Sequence, residues 1–309
     1  MNVLFSGINH VLQQEDVDYL TRIGFNIAFK EEKEDVEDPT WPNFIVTHRF
    51  TDTQPVQAFP NLKVLQITSA GFNHLDLVQI RQQNVQLYNA RGAYSVPIAE
   101  YVLGKILEVL KKSQSFMQYQ EQKIWESEVK MKSLYQKKAA ILGTGSIGQE
   151  IAKRLQAFEV ETYGFNSNGR SIDNFDYTHP LMKFSDLAKR FDIVILALPI
   201  NESTHHFFNK ERLLDIKHDA ILVNIGRGSL IDESALIELL DTQFSTVILD
   251  VFEVEPLPKE SVLWHHPKVI VTPHNSSHDP TATLKLRQLI LDNLTAYIKN
   301  VPLKNHVEL

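Results

Sequence analysis

The sequence predicts an α/β protein made of two domains, each built on a parallel sheet. Short apolar runs bounded by turn residues alternate with helix-like stretches along most of the chain, and this alternation is typical of parallel strands joined by crossover helices. Several runs are unbroken stretches of Val, Ile and Leu, as expected for strands covered on both faces. The chain has 309 residues, of which 43% are hydrophobic, and these values are sufficient for two cores.

The first ninety residues contain five predicted strands, which are residues 2–7, 26–30, 44–47, 62–68 and 85–89. Helix-like stretches lie between them at residues 15–23 and 75–83. We therefore expect a small flavodoxin-like α/β domain at the start of the chain.

From Pro97 onward the apolar residues follow a helical period, and the early proline suits the first turn of a helix. The predicted apolar face of this long helix consists of Ile98, Val102, Ile106, Val109 and Leu110. Six further strands are predicted at residues 139–142, 160–165, 193–198, 221–224, 246–250 and 269–272. Alternation of these strands with helices predicts a doubly wound sheet, and residues 284–297 add a final amphipathic helix.

A glycine-rich turn follows the first strand of this second sheet. Residues 143–148 have the pattern G-x-G-x-x-G and stand directly before a helix predicted at 149–158. In that context Gly143 allows the tight turn, Gly145 allows a pyrophosphate to approach the backbone, and Gly148 allows the helix to pack on the strand. The pattern predicts a Rossmann-type dinucleotide domain, and because no lysine follows the last glycine it argues against a P-loop.

The end of the next strand bears on the choice of cofactor. Asn166 stands where an acid commonly binds the ribose hydroxyls, and a carboxylate there would repel a 2′-phosphate. Ser167, Asn168 and Arg170 offer neutral donors and one guanidinium to that phosphate. We therefore favour NADP(H), with NAD(H) as the alternative; the polar stretch 166–176 could also be a flexible surface loop with Arg170 in water.

Three polar segments, residues 224–228, 250–256 and 272–277, each follow a predicted strand of the second sheet. The carboxyl ends of parallel strands form the edge at which such sheets bind ligands. The segments bring an arginine, an acid and a histidine to this edge. Hydride transfer to a 2-keto acid needs a cation for the carboxylate, a proton donor for the developing alkoxide, and a partner for that donor, and these residue types can supply all three.

These segments and their order resemble the D-isomer-specific 2-hydroxyacid dehydrogenase family. The matching stretches are residues 143–148, 224–228, 250–256 and 272–274, with supporting matches at 68–71, 98–100 and 198–199. The resemblance implies that Arg227 binds and polarises the keto acid, that His274 is the acid/base, and that Glu255 hydrogen-bonds His274. It selects Glu255 over the nearby Glu253, and His278 is the alternative to His274.

The resemblance also implies further contacts. The backbone at Ala70, Gly71 and Phe72 is expected to bind the substrate carboxylate, and Asp250 the nicotinamide amide. The predicted cofactor contacts are Gly143, Gly145, Ser146, Ile147, Gly148, Asn166, Ser167, Arg170, Leu198, Pro199, Thr204, Ile225, Asp250 and Ser276.

The resemblance further implies an insertion and a dimer. Residues 1–95 and 276–309 are expected to form the substrate domain, and residues 96–275 the dinucleotide domain between them. Because the chain crosses this boundary twice, we expect the domains to close during catalysis. The long helix after Pro97 is expected to build a homodimer by burying its apolar face between subunits.

Several sequence features leave alternatives open. Arg49 could bind a second anionic group of the substrate or face solvent, so the substrate is open between glyoxylate or hydroxypyruvate and bulkier keto acids. The histidine pairs 205–206 and 265–266 lack acids at ligand spacing, and we expect no metal. A dinucleotide-sensing corepressor on the same fold is the alternative to an enzyme.

Charge and composition argue against other function classes. The net charge of −7 offers no basic field for nucleic acid or anionic membranes. The chain contains no cysteine, which excludes disulfides and thiolate chemistry and fits a reducing compartment. The first residues lack the features of a signal peptide, so we expect a soluble cytoplasmic protein.

Overall fold

The computed structural model describes residues 1–8, 10–31, 34–48 and 54–309. The chain divides into two compact units, the smaller made of Met1–Tyr94 with Asp279–Leu309 and the larger of Ser95–His278. In the described residues, no helix combines the length and the apolar character that crossing a bilayer requires. The cytoplasmic location stays a prediction.

The smaller unit contains a five-stranded parallel sheet in the order β2-β1-β3-β4-β5. Its elements are β1 (Asn2–Ser6), α1 (Gln14–Arg22), β2 (Asn26–Lys30), β3 (Phe44–Thr47), β4 (Val64–Ile67), α2 (Leu77–Gln82), β5 (Gln86–Tyr88) and α9 (Pro280–Ile298). This strand order is the flavodoxin-like one, as the sequence predicted.

Helices cover both faces of the smaller sheet. Successive side chains along a strand point to opposite faces, so each strand packs against helices on both sides. Phe5 of β1 packs in one apolar cluster with Leu286 and Leu294 of α9. Leu4, the preceding residue, belongs to a second cluster that includes Ile80 of α2. Strand β1 is therefore apolar along most of its length.

The larger unit contains a seven-stranded parallel sheet in the order β12-β11-β10-β9-β6-β7-β8. Its elements are α3 (Ser95–Leu110), α4 (Ser113–Gln122), β6 (Lys138–Leu142), α5 (Ser146–Gln156), β7 (Glu161–Asn166), β8 (Tyr177–Pro180), α6 (Phe184–Leu187), β9 (Ile193–Leu196), α7 (Lys210–Asp215), β10 (Ala220–Asn224), α8 (Glu233–Gln243), β11 (Phe244–Leu249) and β12 (Val269–Val271). The strand order reverses between β6 and β9, so the predicted Rossmann-type, doubly wound sheet inserted into a flavodoxin-like domain is confirmed.

One strand of the larger sheet was not predicted. The edge strand β8 has no apolar run, and its sequence of tyrosine, threonine, histidine and proline gives no strand pattern. It pairs with β7, and the Tyr177 ring stacks on Tyr163 at a centroid distance of 4.8 Å. Tertiary contact rather than local sequence therefore makes this strand.

Most of the predicted apolar face of α3 is covered by its own chain. Ile98, Val102, Ile106 and Leu110 are buried where α3 packs against α5, whereas Val109 is half-buried. The four buried side chains are not available to a second subunit, so a dimer through this helix would have to use its other residues. The homodimer through α3 stays a prediction.

Candidate functional site

Three neighbouring strands of the larger sheet carry the predicted catalytic residues at their carboxyl ends. Arg227 follows β10, Asp250 and Glu255 follow β11, and His274 follows β12. Since these strands are adjacent and parallel, their ends lie at one edge of the sheet. The fold thus brings the three predicted polar segments together.

Glu255 and His274 form a direct hydrogen-bonded pair. Their Oε2 and Nδ1 atoms are 2.8 Å apart, and their side chains are 36% and 48% exposed. The other carboxylate oxygen, Oε1, accepts a hydrogen bond of 3.0 Å from the backbone N–H of Phe252. Because Nδ1 is engaged by the acid, Nε2 is the ring nitrogen that can exchange a proton with a substrate.

His274 is held in an unusual backbone conformation. Its φ is +51°, in the left-handed region that residues with a Cβ rarely adopt, and such strain is common at functional sites. Its N–H donates a hydrogen bond of 2.8 Å to the backbone carbonyl oxygen of Asp250. The turn that presents the imidazole is therefore fixed to the end of β11.

The buried carboxylate of Asp250 organises the segment after β12. Its Oδ1 accepts hydrogen bonds from the Thr272 hydroxyl at 2.7 Å and from the Asn275 N–H at 3.1 Å. Its Oδ2 accepts one of 3.1 Å from the Ser276 N–H. These bonds compensate the burial of the charge and set the position of the residues that flank His274.

A tyrosine on α3 extends this network. The Tyr101 hydroxyl lies 2.6 Å from the Thr272 hydroxyl, which in turn donates to Asp250. The pKa of Tyr101 is raised to about 12, mainly by burial; the hydrogen bond with Thr272 lowers it, and the charges of Asp250 and Glu108 raise it. The phenol therefore stays protonated at neutral pH and can act as a donor. Sequence reasoning missed Tyr101, although it directly follows the matched stretch 98–100.

Arg227 is presented by a tight turn after β10. The Asn224 side chain donates to the carbonyl oxygen of Arg227 at 2.9 Å and accepts from the N–H of Gly226 at 3.1 Å. The guanidinium donates to the carbonyl oxygen of Gly226 at 2.7 Å. Burial lowers the pKa of Arg227 and the charge of Glu255 raises it, with a net lowering, yet a guanidinium remains a cation in proteins. A positive charge thus lies beside the Glu255–His274 pair.

The glycine-rich turn has the form that a dinucleotide pyrophosphate requires. Gly143 has a φ of +107°, and a Cβ there would overlap the backbone of Ala197. A Cβ on Gly148 would overlap the carbonyl oxygen of Gly143, whereas a Cβ on Gly145 would meet no other atom within 4 Å. Two glycines are therefore required by packing, and the third leaves open space at the N-terminus of α5, where Ser146 and Ile147 begin the helix and an anion is favoured.

The side chain of Asn166 is occupied by its own loop. Its Nδ2 donates to the carbonyl oxygen of Arg170 at 2.9 Å, and its Oδ1 accepts from the N–H groups of Gly169 and Asn168 at 2.7 and 3.3 Å. Asn166 therefore shapes the turn after β7. Ser167, Asn168 and Arg170 are exposed on that turn and remain the groups that could meet a phosphate.

Other predicted cofactor residues line the same edge of the larger sheet. Leu198 and Ile225 are buried just after β9 and β10. The buried hydroxyl of Thr204 donates to the carbonyl oxygen of Pro199 at 2.8 Å, so it closes the turn after β9. These residues fit the wall of a cofactor site.

The remaining predicted residues belong to the smaller unit. Ala70, Gly71 and Phe72 follow β4 at the carboxyl edge of that unit's own sheet. The Asn89 side chain donates to the carbonyl oxygen of Ala70 at 2.8 Å. Arg49 falls outside the described residues.

The remaining candidate histidines have other neighbours. His278, the alternative acid/base, is exposed two residues before α9. The rings of His205 and His206 stack on each other, and His266 lies near Asp241. Within the described part of the chain, no three His, Cys, Asp or Glu side chains are grouped to hold a metal.

Comparison with known proteins agrees with this geometry. Residues 103–276 match the family described as D-isomer specific 2-hydroxyacid dehydrogenase, NAD binding domain. The chain is 31% identical over 275 residues to glyoxylate/hydroxypyruvate reductase HPR3 of Arabidopsis thaliana, an alignment that covers 86% of this chain and 83% of that protein.

Two solved structures share the fold of the whole chain. A D-isomer specific 2-hydroxyacid dehydrogenase family protein from Aeromonas salmonicida superposes with a TM-score of 0.85 at 28% identity, covering 99% of this chain and 98% of that one. A D-isomer specific 2-hydroxyacid dehydrogenase from Xanthobacter autotrophicus, in complex with NADPH and MES, superposes with a TM-score of 0.79 at 26% identity, covering 100% and 98%.

Proposed function

Because the chain belongs to the D-isomer specific 2-hydroxyacid dehydrogenase family, we propose that it reduces glyoxylate or hydroxypyruvate with NADPH and that Arg227, Glu255 and His274 form its catalytic group. The coarser activity follows from membership: the protein is an oxidoreductase that transfers a hydride between a nicotinamide dinucleotide and a small 2-keto or 2-hydroxy acid.

The observation that carries the catalytic assignment is the 2.8 Å contact between Glu255 and His274 beside the Arg227 cation. A protonatable group whose partner fixes its orientation is what a general acid requires. A corepressor that only senses a dinucleotide has no use for such a pair, so the site favours an enzyme.

The residues divide the work of keto-acid reduction. Bound NAD(P)H supplies the hydride to the carbonyl carbon of the substrate. The Arg227 guanidinium binds the substrate carboxylate and stabilises the negative charge that develops on the keto oxygen. His274 gives that oxygen a proton from Nε2, while the Glu255 carboxylate stabilises the imidazolium from the Nδ1 side. In the oxidation direction the same Nε2 accepts the proton.

Asp250 and the glycine-rich turn are the proposed cofactor-binding groups. The Asp250 carboxylate, held in place by Thr272 and the N–H of Ser276, is assigned to the nicotinamide amide. The N–H groups at the start of α5 are assigned to the pyrophosphate, because the helix N-terminus carries a partial positive charge.

The NADPH preference rests on the turn after β7. Ser167, Asn168 and Arg170 are exposed there, and no carboxylate stands at position 166 to repel a 2′-phosphate. A relative with 26% identity binds NADPH in its solved structure, which supports this preference.

The proposed substrates come from similarity to the Arabidopsis reductase. The smaller unit is the proposed substrate domain, and Ala70, Gly71 and Phe72 are its proposed contacts with the substrate carboxylate. Their position after β4 supports this role, because the carboxyl edge of a parallel sheet is where ligands bind.

A panel of 2-keto acids with NADPH and NADH tests the proposal. We expect kcat/KM to be highest for glyoxylate or hydroxypyruvate, and higher with NADPH than with NADH, when nicotinamide absorbance is followed. A preference for branched or aromatic keto acids would overturn the substrate proposal alone. Oxidation of neither cofactor with any keto acid would overturn the catalytic assignment.

We also propose that the protein is a homodimer and assign the interface to the surface around α4 and the segment after it. Large apolar side chains are exposed there, and Trp125 is 97% exposed. The exposed set is Phe116, Met117, Ile124, Trp125, Met131 and Tyr135. Exposed apolar side chains in such number are typical of a protein–protein interface, and a second copy of the chain would cover them.

Sedimentation tests the dimer. We expect about twice the 35.4 kDa chain mass at micromolar concentration. Trp125→Asp should shift the protein to monomer, whereas Val262→Asp, at another exposed apolar residue of the larger unit, should not. A wild-type monomer, or dissociation by the control substitution alone, would contradict the assigned interface.

A further inference from the structure

We propose that His206 and Glu253 form a second histidine–carboxylate pair that positions the catalytic acid loop, residues 250–256, and so holds Glu255 against His274. This inference rests on the proposed function. His206 and Glu253 are positioning residues, because neither is assigned a contact with substrate or cofactor.

The pair bridges two strands that are not neighbours. His206 lies on the segment after β9 and Glu253 on the acid loop after β11, and β10 stands between these strands in the sheet. Nε2 of His206 is hydrogen-bonded to Oε1 of Glu253. The contact therefore passes across the end of β10, the strand that presents Arg227.

The backbone of His206 is held in an unusual conformation. Its φ is +46°, in the left-handed region where glycine is favoured and a residue with a Cβ is strained. Its N–H donates a hydrogen bond of 2.7 Å to the carbonyl oxygen of Ser229. Strain of this kind persists where surrounding contacts fix the residue, and here the backbone bond to Ser229 and the ring bond to Glu253 do so.

The acid loop is also packed against the turn that carries Arg227. A Cβ on Gly228, the next residue, would overlap the backbone of Phe252 and Glu253, so the loop lies directly on that turn. The N–H of Glu253 donates a long hydrogen bond of 3.4 Å to Oε2 of Glu233 at the start of α8. The loop is thus held by backbone packing on one turn and by the imidazole of His206.

The acid loop also contacts a second acid, Glu233. Burial raises the pKa of Glu233, the N–H of Glu253 lowers it, and the negative charge of Glu253 raises it. Glu253 therefore lies beside a second acid, and His206 is the group that offers it a proton donor. His205 stacks on His206, with ring centroids 4.1 Å apart.

The backbone of the acid loop connects the position of Glu253 to that of the Glu255 carboxylate. The N–H of Phe252, next to Glu253, donates to Oε1 of Glu255, whose other oxygen contacts His274. A loosened backbone at 252–253 would weaken this bond and release the Glu255 carboxylate, which is 36% exposed. His206 and Glu253 would therefore set the position of the Glu255 carboxylate without taking part in the reaction.

The test uses substitutions that respect the backbone of His206. His206→Gly accepts the left-handed φ but removes the imidazole, whereas His206→Gln keeps a donor at about the distance of Nε2. Glu253→Gln removes the charge of the partner. His218→Ala is the matched control, because His218 pairs with Asp219 on an exposed surface.

We expect His206→Gly and Glu253→Gln to lower kcat for keto-acid reduction about threefold to tenfold with little change in KM for NADPH. In a Glu255→Gln background, His206→Gly should cause little further loss of kcat, because both substitutions act on the same carboxylate. His206→Gln should keep most of the wild-type rate, and the control should match the wild type.

Hydrogen exchange of the peptide covering 250–257 gives a readout that needs no activity. Exchange should be faster in His206→Gly and unchanged in His218→Ala. If the loop of His206→Gly exchanges at the wild-type rate and kcat is unchanged, the positioning role is overturned while the proposed function stands. If Glu255→Gln leaves kcat unchanged, the proposed catalytic pair is wrong, and the exchange rate still decides whether His206 holds the loop.

Discussion

The carboxyl edges of the two parallel sheets differ in what their strands deliver. In the larger unit the strand ends carry Arg227, Asp250, Glu255 and His274. In the smaller unit the corresponding edge includes Asn89, whose side chain donates to the backbone. Two parallel sheets of one chain thus present different chemistry, because the residues at the strand ends and not the fold decide it.

The polar groups of the two units also differ in their exposure to solvent. In the smaller unit Gln66 and Asn293 are fully buried and hydrogen-bonded at 2.6 Å, and Asn293 also bonds the backbone of Lys304. Such a network fixes a core. The Glu255–His274 pair is partly exposed, as proton exchange with a substrate requires. The comparison therefore predicts that polar substitutions in the larger edge affect rate and those in the core of the smaller unit affect stability.

The largest expected effect follows from removing the cation of the larger edge. Arg227→Ala should lower kcat/KM for the keto acid by about 10³–10⁴-fold, because the guanidinium serves both the bound carboxylate and the developing alkoxide. Steady-state kinetics at saturating NADPH should show a raised KM together with a reduced kcat. A raised KM with an unchanged kcat would restrict Arg227 to substrate binding.

A smaller effect is expected from neutralising the acid that orients His274. His274 gives a proton in reduction, and the Glu255 carboxylate fixes the imidazole so that Nε2 is free to donate. Glu255→Gln should therefore lower kcat, by less than the loss of about 10²–10⁴-fold expected for removing His274 itself, with little change in KM for NADPH. Steady-state kinetics check this, and an unchanged kcat would leave Glu255 without the assigned role.

Cofactor preference should change more modestly. Arg170→Ala removes a guanidinium that is exposed on the turn after β7, and charge-assisted hydrogen bonds of this kind contribute about 1.5–3 kcal/mol. The ratio of kcat/KM for NADPH to that for NADH should fall about tenfold or more. Lys183→Ala, at an exposed cation elsewhere in the larger unit, should leave the ratio unchanged. Equal ratios in wild type and Arg170→Ala would remove the phosphate site from this turn.

The smallest effect on activity is expected from an ion pair of the smaller unit. Arg287 of α9 donates to both carboxylate oxygens of Asp16 on α1, at 2.6 and 2.8 Å. Burial raises the pKa of Asp16, but the bonds from Arg287 and the N–H of Gln13 lower it below its ordinary 3.8. The pair therefore stabilises the fold fully above that value, and this contribution is lost as pH falls through the lowered pKa.

Asp16→Asn should accordingly lower the melting temperature by a few degrees at neutral pH and leave kcat/KM as in the wild type. The difference in melting temperature should shrink in acid, which thermal unfolding at several pH values would show. A variant with impaired catalysis but unchanged stability would reverse the division of roles between the two units.

Much of the architecture could be predicted from local sequence. Buried parallel strands need apolar runs, so β1 to β7 and β9 to β12 were predicted with small errors at their ends. Strand β8 was missed because stacking of Tyr177 on Tyr163 and pairing with β7 form it. The apolar period of α3 was found, but periodicity cannot tell whether a face meets the same chain or another one.

The polar contacts of the candidate site were likewise predicted only in part. The motifs placed Arg227 and His274 at strand ends, since strand order and polarity follow from the pattern. The contact of Tyr101 with Thr272 and that of His206 with Glu253 were not predicted, because each joins residues far apart in sequence. Glu253 and Glu255 are alike in sequence, and only the fold shows that each faces a different histidine.

The most direct measurement of the central claim is single-turnover and steady-state reduction of hydroxypyruvate by His274→Ala, with NADPH affinity measured by direct binding. If the edge of the larger sheet carries the acid–base chemistry, kcat should fall about 10²–10⁴-fold while the Kd for NADPH changes little. Near-normal reduction by this variant across the pH range would contradict the account and make His278 the next residue to substitute.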